Sequence, residues 1–159
     1  FFSSAASEPE GRLTEIALFL EFFAGVLGGS VGGIVGFCLT YEIVLALVNE
    51  PLSAGLSALS IGFPVGSILG AGLGVIGVAW ALDDEGNESA SFVGAAIGFL
   101  GSFYVYGSLT NHIGWQLGWY DSPTGPPSWV VPLHFICTEI GAGLGAVAGY
   151  HLANQLGQR

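Results

Sequence analysis

The sequence predicts an all-α membrane protein, four transmembrane helices packed through GxxxG faces. Three observations carry that prediction. Only 9% of the 159 residues are charged and 52% are hydrophobic, whereas a soluble domain carries about a quarter charged residues to cover its water-facing surface. The apolar residues are gathered into four blocks, 13–48, 52–82, 89–120 and 129–153, each longer than the ~20 residues a helix needs to cross the hydrocarbon core. Within the blocks, glycine recurs at four-residue spacing. One membrane domain, 13–156, follows, with a polar N-terminal segment 1–12 and a short tail 157–159.

The first block runs for 36 residues, about 54 Å as a helix at 1.5 Å per residue. That overshoots a bilayer, so "GRLTEIALFLEF" is expected to lie partly along the interface, with Glu15 and Glu21 facing water or headgroups. Further on, Gly25, Gly28, Gly29, Gly32, Gly33 and Gly36 fall on one helical stripe.

The second block contains "GFPVGSILGAGLG", with Gly62, Gly66, Gly70 and Gly74 at strict four-residue steps. In water each such glycine costs a helix about 1 kcal/mol relative to alanine. In lipid the backbone must satisfy its own hydrogen bonds, so the helix forms regardless. Glycine then supplies a flat surface on which a second backbone can approach. The third block repeats the device with Gly94, Gly98 and Gly101, and the fourth with Gly141, Gly145 and Gly149.

The alternative is a transmembrane β-barrel. In the third block large apolar residues such as Val93, Ile97 and Phe103 sit at odd positions, and small or polar ones such as Gly94, Ser102 and Thr110 at even positions. That alternation suits a barrel strand. The first block's glycines fall on both parities, however, and the polar turns a barrel needs every ten residues or so are missing.

The connections are explicit. Segments 49–55 and 83–89 are polar and turn-rich, and "YDSPTGPPS" (120–128) holds three of the seven prolines, which cannot continue a helix. Trp115, Trp119, Tyr120 and Trp129 bracket this loop as an interfacial aromatic belt should.

Net charge is −10, with Arg12 and Arg159 the only basic residues. Nothing here can neutralise nucleic-acid phosphates or anchor on anionic lipid. The expected partners are therefore lipids, copies of the chain or other membrane subunits. The two arginines share a side and favour cytoplasmic termini. The acids cluster in 7–10 and in "DDEGNE" (83–88), read as solvated caps; the latter lacks the ligand spacing of an EF-hand loop. "FFSSAASEPE" reads as the tail of a signal peptide or a trimmed organelle presequence, which places the chain in a bacterial cell envelope or an organelle membrane.

Ionisable side chains inside spans are costly and mark candidate sites. Glu42, His112, His134 and Glu139 qualify, and span directions put the first three at similar depth. The leading reading is that they satisfy one another, Thr138 and nearby carbonyls close to the interface. A proton or ion relay comes second. A metal or pigment site comes third, with the two histidines and Glu42 as ligands. His151 is expected to face headgroups, and Cys38 and Cys137 to be buried free thiols. No P-loop, nucleophile elbow, Cys-x-x-Cys or His-Glu-x-x-His occurs, so neither an enzyme nor a cofactor beyond lipid is expected.

On the strength of "GGSVGGIVG", "FPVGSILGAGLGVIGV", "SFVGAAIGFLGSF" and "GAVAGYHLANQL", the chain resembles the glycine-rich, signal-peptide-bearing envelope membrane proteins of bacteria, a group without assigned function. A fainter likeness is to the four-span mitochondrial inner-membrane translocase family, from which the scarcity of basic residues departs. Neither resemblance implies a catalytic residue. The expected function is a structural or assembly membrane protein, an oligomer or a subunit of a larger complex. The alternatives are a small channel or transporter using Glu42, His112 and His134, and a small outer-membrane barrel.

Overall fold

A computed structural model of the chain describes residues 8–119, 121, 122 and 125–157. The stretch 1–7, Tyr120 and Arg159 lie outside the described residues, and with them most of the N-terminal segment and the end of the tail. Four helices are long and apolar enough to span a membrane: α1 (Glu8–Val48), α2 (Pro51–Ala81), α3 (Glu88–Gln116) and α4 (Val130–Gly157). No strand occurs among the described residues, so the barrel alternative falls.

Local chemistry sets the breaks. α1 ends at Asn49 (φ 55°) and α2 at Asp83 (φ 58°), both in the left-handed region that asparagine and aspartate tolerate best after glycine. Pro51 opens α2, where its missing N–H is no loss. Asn87 caps α3, its side chain accepting from the Ala90 N–H at 2.9 Å. Within α2 the turn Ala58–Gly62 is π-helical. Pro64 lies just beyond and has no N–H to offer the carbonyl four residues back, a known cause of local helix distortion.

The helices form two antiparallel hairpins, each closed by backbone against backbone. On α1, Gly28, Gly32 and Gly36 meet Gly70, Gly66 and Gly62 of α2. A β-carbon added at any of these six would overlap the facing carbonyl oxygen, and at Gly74 it would overlap that of Ala24. On α3, Gly94 and Gly98 meet Gly145 and Gly141 of α4, with Gly149 against Ala90. The two hairpins then pack together through α1 on α4, α2 on α3 and α2 on α4, while α1 and α3 make no contact among the described residues. That arrangement is what two copies of one hairpin design would give.

The expected single glycine stripe on α1 is in fact two faces. Gly25, Gly29 and Gly33 point to the bundle centre rather than to α2's glycines. A β-carbon at Gly25 would stand 3.1 Å from the Gly143 Cα, and at Gly33 it would stand 2.5 Å from Ser67 Oγ. Gly101 and Gly77 have open space in front of them.

The interior is built largely of alanines with several polar side chains among them, around Val75, Ile76, Phe99 and Tyr150, while most large apolar side chains face outward. Ala71, Ala95, Ala142 and Ala146 are fully buried together with Ser67, Ser91 and Thr138, whereas Leu27, Ile34, Ile97 and Leu144 are exposed. A soluble protein shows the reverse. This inversion fits hydrocarbon as the surrounding solvent, where helix association rests on close packing and interhelical hydrogen bonds.

One expectation for α1 needs correcting. Glu15 is exposed as anticipated, but Glu21 is fully buried, and His151, expected at the headgroups, hydrogen-bonds it. α1 is one continuous helix of 41 residues, so helical phase, and not distance from the helix end, decides which way Glu21 points.

Candidate functional site

Glu139 lies near the middle of α4, where α1, α2 and α4 converge. It is 5% exposed. Ser67 Oγ of α2 donates to its Oε1 at 2.7 Å, while Oε2 has no hydrogen-bond partner. That oxygen lies against Gly29 of α1, at a place where any β-carbon would overlap it. The local sequence explains the fit: glycine at 29 leaves room for the carboxyl group, and Ser67 is the one hydroxyl among the glycines of α2's inner turns. The neighbouring Thr138 hydroxyl is occupied within its own helix, donating to the His134 carbonyl at 2.5 Å.

A crevice of about 250 Å³ between α1 and α4 reaches this carboxyl past Val26, Ser30 and Ile136. An unshared, half-satisfied carboxyl group in a low-dielectric interior is costly as an anion. It is suited to holding a proton, or to exchanging one for a cation that enters through the crevice.

His134 stands on α4 a little over one turn before Glu139, between the rings of Phe103 and Tyr106 at centroid distances of 4.6 and 4.9 Å. Its Nε2 is buried without a hydrogen-bond partner. It lines a second crevice, of about 430 Å³, beside the π-turn of α2, with Phe63, Phe99, Phe103 and Phe135 as the main walls. π-turns of this kind are frequent at functional sites.

The other anticipated residues do not join these two. Glu42 is exposed. His112 is exposed, its Nε2 lying 3.0 Å from Nε2 of Gln116 in its own helix. Glu42, His112 and His134 come together in no group of ion-ligand geometry among the described residues, so these three side chains do not converge on one ion. Residue counting placed them at one level, but Glu42 and His112 lie on the exterior, on two helices that do not touch among the described residues, while His134 turns inward between aromatic rings. Cys38 is an exposed and Cys137 a half-buried free thiol. Beside the proline loop, Trp119 and Trp129 meet edge to face at 6.0 Å, and Trp115 is exposed.

Sequence reasoning missed Ser67 as the partner of Glu139. A lone hydroxyl one residue beside a glycine seam was the available signal. Comparison with family models, with curated proteins and with solved structures finds no match.

Proposed function

We propose that the chain is a non-enzymatic structural or assembly subunit of a membrane complex, packing through α3 and α4 against a helix of another copy or another subunit. The supporting observation is a trough of about 650 Å³ along the outside of the α3–α4 seam, floored by Gly98, Gly101, Gly141 and Gly145 and rimmed by Ile97 and Leu144. Most of the glycines are used inside the chain, but Gly101 has nothing in front of it. A small residue with open space on an apolar outer face suits close approach by a further helix.

Gly101→Leu puts a side chain into the trough from a position where an added β-carbon meets nothing within 4 Å. The expected result is dissociation of the assembly on native mass spectrometry, with helix content by circular dichroism unchanged. A wild-type chain that is strictly monomeric in mild detergent and brings no other membrane chain with it would end this reading.

A second reading, transport of protons or small cations, is favoured by the unpartnered oxygen of Glu139. It moves the anticipated site from Glu42, His112 and His134 to Glu139. Glu139→Gln keeps the shape and an acceptor for Ser67 but removes the exchangeable charge. Flux into proteoliposomes should then fall at least tenfold, and equal flux in the variant excludes this reading.

A further inference from the structure

A separate polar cluster closes the opposite end of the bundle, and neither the trough nor the Glu139 site uses it. Three elements build it. α1 supplies Glu21, α4 supplies His151, and the connection 82–87 between α2 and α3 supplies Asp84. His151 Nε2 lies 2.6 Å from Glu21 Oε2. One ligand atom from each of the three residues lies within 4.8 Å of the other two.

The connection is held in place rather than left loose. Asp84 N–H donates to the Ala79 carbonyl at 2.9 Å, and Asn87 N–H donates to the Tyr150 carbonyl at 2.9 Å. Tyr150 Oη donates to the Asp84 carbonyl at 3.0 Å. Gly86 lies so close to the Tyr150 ring that a β-carbon there would overlap it. Asp84 is thereby carried to the pair on the adjoining helices.

The Glu21–His151 hydrogen bond alone does not account for this arrangement. Glu21 is fully buried, yet its Oε1 has no hydrogen-bond partner. A second carboxylate stands beside it, and two carboxylates this close repel unless a proton or a cation lies between them. We propose that Glu21, Asp84 and His151 bind one divalent first-row transition ion, of which Zn²⁺ fits best, at the membrane surface.

The chemistry matches in three ways. Two carboxylate oxygens and one imidazole nitrogen form a ligand set that zinc accepts. The two negative charges balance the ion's two positive ones. Ligand atoms about 2.0–2.2 Å from a tetrahedral zinc stand roughly 3.4 Å apart, a spacing that lies between the 2.6 Å of the His151–Glu21 pair and the 4.8 Å within which all three ligand atoms fall. Asp84 and His151 are partly exposed, which leaves a way in and a position for water.

The test uses the whole chain in nanodiscs, stripped with a chelator and titrated with Zn²⁺ by calorimetry, with Co²⁺ absorption as a second probe. One ion per chain is expected, undisplaced by a hundredfold excess of Ca²⁺. Glu21→Gln and Asp84→Asn should each weaken Zn²⁺ binding at least tenfold, while His112→Ala, exposed on the far side of the bundle, leaves it unchanged. Asp84→Asn alters a partly exposed connection, so it decides the matter even if Glu21→Gln folds poorly. Absence of binding, binding indifferent to both carboxylate substitutions, or binding lost with His112→Ala would each overturn the proposal. None of these readouts depends on oligomeric state or flux, so a failure here is distinct from a failure of the assembly or transport readings.

Discussion

Gly66→Leu is expected to separate the two hairpin helices α1 and α2 while leaving both in the membrane. A β-carbon at this position already overlaps the Gly32 carbonyl, and leucine adds three more carbons. Overpacking a core of side chains costs about 1–3 kcal/mol, because side chains can rotate away. Here the obstacle is main chain, which cannot, so a loss of at least about 3 kcal/mol is expected from the same reasoning. Denaturation in mixed micelles would read this as an early transition and loss of near-ultraviolet dichroism. Far-ultraviolet helicity should persist, because lipid obliges each segment to keep its own hydrogen bonds. Gly77→Leu is the control. Nothing lies within 4 Å of its added carbon, so a change of no more than about 0.5 kcal/mol is expected, as for a surface substitution. Equal stability of the two variants would show that the seam does not hold the hairpin.

Tyr150→Ala should be the most damaging side-chain truncation. Tyr150 is 1% exposed and the largest fully buried side chain described. Removing an aromatic ring from such a site costs about 3–5 kcal/mol through lost contacts and the cavity left behind. The ring also supports Gly86, and the hydroxyl holds the Asp84 carbonyl. Tyr150→Phe isolates the second effect, with a loss of about 1 kcal/mol, the usual net worth of one hydrogen bond. Hydrogen exchange at 83–87 should quicken in both variants, far more in the alanine one. A phenylalanine variant as unstable as the alanine one would place the stabilisation in the hydroxyl instead of the ring.

Different parts of the molecule were legible to different degrees. The four spans could be read directly, since length and hydropathy belong to each segment alone. The breaks were also visible, because asparagine, aspartate and proline end helices through their own local chemistry; the π-turn before Pro64 went unread. The glycine spacing signalled close approach but not the partners. Gly25, Gly29 and Gly33 repeat every four residues just as Gly28, Gly32 and Gly36 do, yet only the latter set meets the glycines of α2.

The polar residues show the same division. Glu42, His112 and His134 share a depth, which follows from counting residues along each span. Which of them turns inward, and which helices are neighbours, counting cannot supply. Glu139 was visible as an ionisable group inside a span, but its pairing with Ser67 required α2 and α4 to be adjacent. Glu21 was assigned to the water side on helix length, and length carries no information about which face turns inward.

What the sequence by itself determined is the medium and the parts: an oily chain of four spanning helices with flat glycine faces and almost no positive charge. The tertiary structure alone decided which face of each helix turns inward. It thereby buried Glu21 and Glu139 and left Glu42 and His112 outside. The physical reason is that hydropathy acts on one helix at a time, whereas the choice of neighbour depends on how closely two backbones can approach. In lipid, where every outer face is equally apolar, that contact is what distinguishes one arrangement from another.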